Sequence, residues 1–101
     1  MHLIEIFLPL SDNDGKRFAP DVFARIRSEL TDKFGGLTAF SRAPAEGTDT
    51  EAGRARHDEL VVFEVMTEQL ERAWWSAYRS QLENTFRQQR ILMRRSEVTV
   101  L

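Results

Sequence analysis

Apolar positions in this chain fall into patterned runs separated by polar or glycine-rich breaks. "HLIEIFLPL" is rich in Ile, Leu and Phe until Pro9, which cannot donate to a strand ladder, and it predicts a strand over residues 2–8. "SDNDGKRF" is a polar turn around Asp14-Gly15. Pro20 suits a first helical turn, with Asp21 near the positive end of the dipole, and Val22, Ile26, Leu30 and Phe34 recur every four residues with Phe23 beside them. That apolar face stops at Gly35-Gly36, a left-handed cap followed by a chain reversal.

"LTAFSR" predicts a short edge strand. Ala43 to Arg56 hold Pro44, Gly47, Gly53 and several charges without periodicity, which predicts a mobile loop. "DELVVFEVM" is the clearest strand, β-branched and aromatic. Thr67 is placed to cap a second helix, with Glu68 and Glu71 in its first turn and Arg87 and Arg90 in its last. Its expected stripe is Leu70, Ala73, Trp74, Ala77, Tyr78, Leu82 and Phe86, with Glu68–Arg72 and Glu83–Arg87 as i, i+4 pairs opposite. "ILMRRSEVTVL" predicts a final strand.

The order β-α-β-β-α-β predicts a ferredoxin-like α+β plait over residues 1–101: a four-stranded antiparallel sheet with two helices on one face. Right-handed crossovers are read as making the first and third of these strands central, parallel neighbours. Two helices leave one sheet face bare. On the central strands Ile4, Ile6 and Leu8 with Val61, Phe63 and Val65 form sets free of acids, and these fit the helix side, because a carboxylate there would be costly. The open face then carries Leu3, Phe7, Leu60, Val62 and Met66, with Glu5 and Glu64 among them. So many apolar groups predict an interface with a second copy of the chain, or the floor of a pocket. A solvated face with scattered apolar residues is the plainer alternative.

Composition narrows the function classes. With no cysteine, disulfides, thiolate catalysis and Cys-ligated zinc are excluded. Fourteen basic residues against 16 acidic, for a formal charge of −2, argue against a nucleic-acid partner. "DELVVFEVM" also lacks the basic-Gly-aromatic motif of RNA-recognition sheets. No segment approaches the roughly 20 apolar residues of a membrane span. "MHLIEIFLPL" has neither a basic leader nor a small-residue cleavage site, so a cytoplasmic location is expected. No metal and no cofactor are expected: aligned on a calcium loop, "DNDG" puts Leu10 at the first ligand position and Asp21 at the last.

Candidate chemistry is sparse. Glu5 and Glu64, on adjacent strands, could share acid and base roles, or each could pair with an arginine, Arg94 and Arg42 being at hand. His57 stands beside Asp58 and Glu59 as a general base, as half of a metal site (though no second histidine sits at a ligand spacing), or as a solvated loop histidine, the reading favoured. Trp75 borders the helical stripe and either widens the core contact or projects toward a cleft or partner. Phe40 and Arg42 lie on the edge strand beside "APAEG", where a pocket rim would form, with Arg42 a candidate for a small anionic ligand.

"GGLTAFSRAPAEG", with "LPLSDNDG" and "FEVMTEQLERAWWSAYRSQLE", resembles a family of short, uncharacterised bacterial proteins, over most of the chain and least over residues 48–56. The resemblance implies a bacterial cytosolic protein and carries no catalytic residue over. Two functional classes stay open. One is a small homodimerising domain that binds a partner or ligand through the open sheet face. The other is a compact enzyme resembling the dimeric α+β-barrel kind (isomerase or cofactor-free oxygenase) acting near Glu64, His57 and Arg42.

Overall fold

A computed structural model gives the fold; it describes residues 1–42, 50–51, 54–55 and 59–101, the side chains of 42, 50–51 and 54–55 excepted. In chain order the elements are β1 (His2–Pro9), α1 (Pro20–Phe34), β2 (Thr38–Arg42), β3 (Thr50–Glu51), β4 (Arg54–Ala55), β5 (Leu60–Thr67), α2 (Arg72–Phe86) and β6 (Met93–Glu97). Four long strands form one sheet in the order β2-β5-β1-β6, and β3 pairs with β4 in a separate small ladder. The fold is the ferredoxin-like plait.

Its central pair needs a correction. β1 and β5 are neighbours, but they run antiparallel, His2 facing Thr67 and Pro9 facing Leu60. The cause lies in the connections. α1 returns the chain so that β2 runs in the direction of β1, and the chain reverses again before β5, which therefore opposes both. The segment read as a loop also differs, since β3 and β4 pair antiparallel within it; its other residues lie outside those described.

The first turn and helix form as their residues require. Gly15 takes φ 83°, and the Asp12 carboxylate accepts the backbone N–H of Asp14 and of Lys16, each at 2.9 Å. Pro20 opens α1, and Gly35, at φ 79°, closes it by donating its N–H to the Thr31 carbonyl at 2.8 Å.

α2 departs from expectation in three ways. It begins at Arg72, not at Thr67, whose hydroxyl instead donates to the Gln69 carbonyl at 3.0 Å beyond the end of β5. Arg87 is itself the left-handed cap at φ 52°, with Gln88 N–H reaching the Glu83 carbonyl at 3.0 Å, so neither Arg87 nor Arg90 is in the last turn. The buried stripe is Trp75, Tyr78, Leu82 and Phe86, while Ala73 and Ala77 are exposed. Burying one indole removes far more apolar area from water than burying two methyl groups, and the helix turns accordingly.

The charge pairs shift with it. Glu71 meets Lys33 of α1 at 3.0 Å, Glu83 lies 4.0 Å from Arg79, and Arg87 lies 4.0 Å from Asp12. Between the helices Phe34 stacks on Trp75, and Trp74 on Tyr78. The Tyr78 hydroxyl is buried there with no hydrogen-bond partner, and burial pushes its pKa up. Among the described residues no helix is long and apolar enough to cross a membrane.

Candidate functional site

Register fixes which side chains share the open face, because residues directly opposite in an antiparallel pair point the same way. Thr38, Glu64, Glu5 and Arg94 form one row across the four strands. Phe40, Val62 and Phe7 form the next, and Leu60 and Pro9 belong to the third. Toward the other end Met66 faces Leu3, which faces Ser96. The acid-free sets lie under the helices as expected: Ile4, Ile6, Leu8, Val61, Phe63 and Val65 all belong to the core cluster.

The open face is neither bare nor uniformly covered. Val62 is 1% exposed and Phe7 8%, whereas Phe40 and Met66 remain about half exposed, at 45% and 50%. Arg94 stands over the Phe7 ring, 4.7 Å from its centroid, and holds Glu5 at 3.3 Å. Glu5 therefore has its arginine. Glu64, directly opposite Glu5, has no ion pair among the described residues. Arg42 sits opposite Leu60, four residues along β2 from the Thr38 that faces Glu64, so the register does not set it beside that acid. The side chain of Arg42 and all of His57 lie outside the described residues. Trp75 is buried against Phe34, with part of its surface lining a groove beside β6.

At the Pro9 end of the open face the surface sinks into a cleft of about 720 Å³. Four separate segments build it. Phe7 and Pro9 come from β1, the turn at Ser11–Arg17 makes one wall, Glu59 and Leu60 open β5, and Gln88–Leu92 join α2 to β6. The segments are tied together: Phe7 N–H donates to the Leu92 carbonyl at 3.0 Å, Leu10 N–H to the Glu59 carbonyl at 3.2 Å, and Ile91 N–H to the Glu83 carboxylate at 3.1 Å.

One side of the cleft is apolar, formed by Phe7, Leu60 and Leu92, the last of them half exposed. Opposite lies a polar set. Gln88 donates its side-chain N–H to the Asn13 carbonyl oxygen at 3.3 Å and to the Phe86 carbonyl at 3.3 Å. With the amides oriented as that bond requires, the Gln88 carbonyl oxygen and the Asn13 NH₂ remain as one acceptor and one donor. Arg17 and Glu59 pair at 2.7 Å on the rim, and Arg90 brings a cation with no ion pair among the described residues.

Sequence reasoning singled out Phe7 and Leu60 of this cleft but missed Asn13, Arg17, Glu59, Gln88, Arg90 and Leu92. No local pattern in the sequence marks them, because they lie on separate segments.

Neither a protein-family model nor a curated protein matches the sequence. Among solved structures, a phage SAM lyase in complex with S-methyl-5'-thioadenosine has a similar fold, with a TM-score of 0.61 at 15% identity, covering 95% of this chain and 80% of that one. The likeness is one of fold.

Proposed function

We propose that this chain is a small-molecule-binding protein whose ligand is an adenosine-type nucleoside, held in the cleft at the Pro9 end of the open sheet face. The observation that carries the reading is the presence, in the lining of one cleft of about 720 Å³, of the apolar Phe7, Leu60 and Leu92 together with the hydrogen-bonded Gln88 and Asn13 amides. The volume falls within the roughly 300–1,000 Å³ of small-ligand sites, and the lining is more polar than is usual for them. An adenine edge offers an N–H₂ donor beside a ring-nitrogen acceptor, the complement of the Gln88 oxygen and the Asn13 NH₂. Its flat faces suit Leu60 and Leu92, and Glu59 can accept from a ribose hydroxyl. The adenosine thioether bound by the similarly folded lyase supports this ligand class by fold analogy.

Calorimetric titration tests it. Adenosine and S-methyl-5'-thioadenosine are expected to bind, and inosine, whose base edge reverses donor and acceptor, to bind at least about tenfold more weakly, since a bound base covers the Gln88 and Asn13 amides and mispairing both costs about 1–3 kcal/mol. Gln88→Ala is expected to erase that discrimination. Equal binding of adenosine and inosine, or no saturable heat from either, contradicts the reading.

Enzymatic action of the α+β-barrel kind is a second reading, and Glu64 is the observation that favours it: a half-buried carboxylate without an ion pair among the described residues, facing the paired Glu5. Glu64 lines a separate groove with Thr38 and Met66, so this reading predicts that Glu64→Gln abolishes any turnover while leaving nucleoside binding at the cleft unchanged. A second copy covering Phe40 and Met66 is compatible with either reading.

A further inference from the structure

A different groove, sharing no lining residue with the cleft, runs between α2 and the edge strand β6 and encloses about 250 Å³. Its floor and walls hold Leu70, Trp75 and Met93, with the hydroxyl-bearing Ser76 beside them. Arg72 and Arg79, two turns apart on α2, and Arg95, on the helix side of β6, also line it. Among the described residues no carboxylate does.

Among the described residues, none of these guanidinium groups donates a hydrogen bond to a carboxylate. Arg72 has no ion pair among the described residues, and it opens α2, where a cation opposes the helix dipole and the first turn holds no acid to compensate. Arg79 lies 4.0 Å from Glu83 and Arg95 3.8 Å from Glu97, both beyond hydrogen-bonding distance. Arg95 makes one close contact, 3.0 Å to His2 Nδ1. Arg94 also lines the groove, but its guanidinium is taken up on the other sheet face by Glu5 and Phe7. Three cations gathered round an apolar-floored groove repel one another, and an oxyanion with several acceptor atoms would relieve that repulsion and use their donors.

We propose that the groove between α2 and β6 is a second binding site, taking a phosphate monoester whose dianionic head lies among Arg72, Arg79 and Arg95 and whose organic body rests on Leu70, Trp75 and Met93. The groove is too small for a nucleotide to sink into whole, so the class is a compact one, such as an aryl or short-chain alkyl phosphate. Binding there is independent of the nucleoside cleft.

Phenyl phosphate is a suitable probe, followed by tryptophan fluorescence, which Trp75 reports, and by calorimetry. Saturable binding is expected with a Kd below about 1 mM. Inorganic phosphate, lacking the body, and benzoate, lacking the second charge, are each expected to bind at least about tenfold more weakly. The Arg79→Gln/Arg95→Gln double variant is expected to lose at least about tenfold in affinity, and Ser76→Glu, which sets a carboxylate in the groove, to abolish binding. All of these positions are exposed, and a thermal melt verifies folding. Absence of saturation, an unchanged affinity in both variants, or equal affinity for benzoate overturns the proposal. So does displacement of phenyl phosphate by S-methyl-5'-thioadenosine, which would place both in one site, whereas failure of the nucleoside to bind leaves this test intact.

Discussion

The two faces of one sheet follow different rules in this protein. Under the helices, Ile4, Ile6, Leu8, Val61, Phe63 and Val65 are all buried in one cluster, each apolar group serving the fold. On the other face the same two strands give a gradient: Val62 and Phe7 buried at the centre, the facing acids Glu5 and Glu64 half-buried, and Phe40 and Met66 half exposed. Strand propensity is equal on both faces because the strands are the same. The difference therefore follows what covers each face, a packed helix layer on one side and no further element among the described residues on the other. The cleft lies where that second face ends, at Phe7, Pro9 and Leu60.

If the contrast is real, truncations should separate widely. Phe63→Ala, on a fully buried ring, is expected to destabilise by about 3–5 kcal/mol, because a large core side chain leaves a cavity. Val62→Ala, buried on the open side, is expected to cost about 1–3 kcal/mol, and Met66→Ala under about 1 kcal/mol. Urea denaturation of the three variants measures this; a Met66→Ala loss matching that of Phe63→Ala would mean that a partner chain already makes the open face a second core.

A smaller effect comes from the helix layer. Tyr78 carries an orphan hydroxyl, so Tyr78→Phe is expected to be neutral or to stabilise by up to about 1 kcal/mol. Its phenol pKa is raised by burial, with the Glu29 carboxylate adding to the shift and Arg25 opposing it. The proton is thus held more tightly in the folded than in the unfolded chain. The associated stability is full below the ordinary phenol value of 10.0 and drains away as pH rises from there toward the raised folded value. Stability curves above pH 10 should fall more steeply for the wild type than for Tyr78→Phe, and parallel curves would refute the burial of that hydroxyl.

Smallest of all is the charge row. Glu64 opposes Glu5 across the central strand pair, and Glu5 is held by Arg94 at 3.3 Å. Glu64→Gln is expected to stabilise by a few tenths of a kcal/mol at low salt and by less at high salt, as like charges directly opposed are relieved. A destabilisation would reveal a cation paired with Glu64.

Much of the fold was legible, for reasons tied to particular residues. Glu5 and Glu64 tagged the open face of their strands, since neither could sit beneath a helix, and Gly35 and Pro20 marked the ends of α1. The β1–β5 direction differs because the crossover rule, which governs parallel strands, was applied to a pair that the chain enters in opposite directions, reversing between β2 and β5. On α2, Ala73 and Ala77 count as apolar in a periodic pattern yet bring little area, so Trp75 set the buried face. The cleft was mostly illegible: Asn13, Glu59, Gln88 and Leu92 are dispersed along the chain, and only closure of the sheet brings them together. The α2–β6 groove was hidden for the same reason, Arg79 and Arg95 lying on different elements.

Backbone amide NMR of the isotope-labelled chain, titrated with S-methyl-5'-thioadenosine, weighs the proposed role of the open face's Pro9 end against all others. Saturable shifts concentrated at Phe7, Asn13, Leu60, Gln88 and Leu92 are the predicted result. Shifts confined to other parts of the molecule, or none at millimolar ligand, would contradict it.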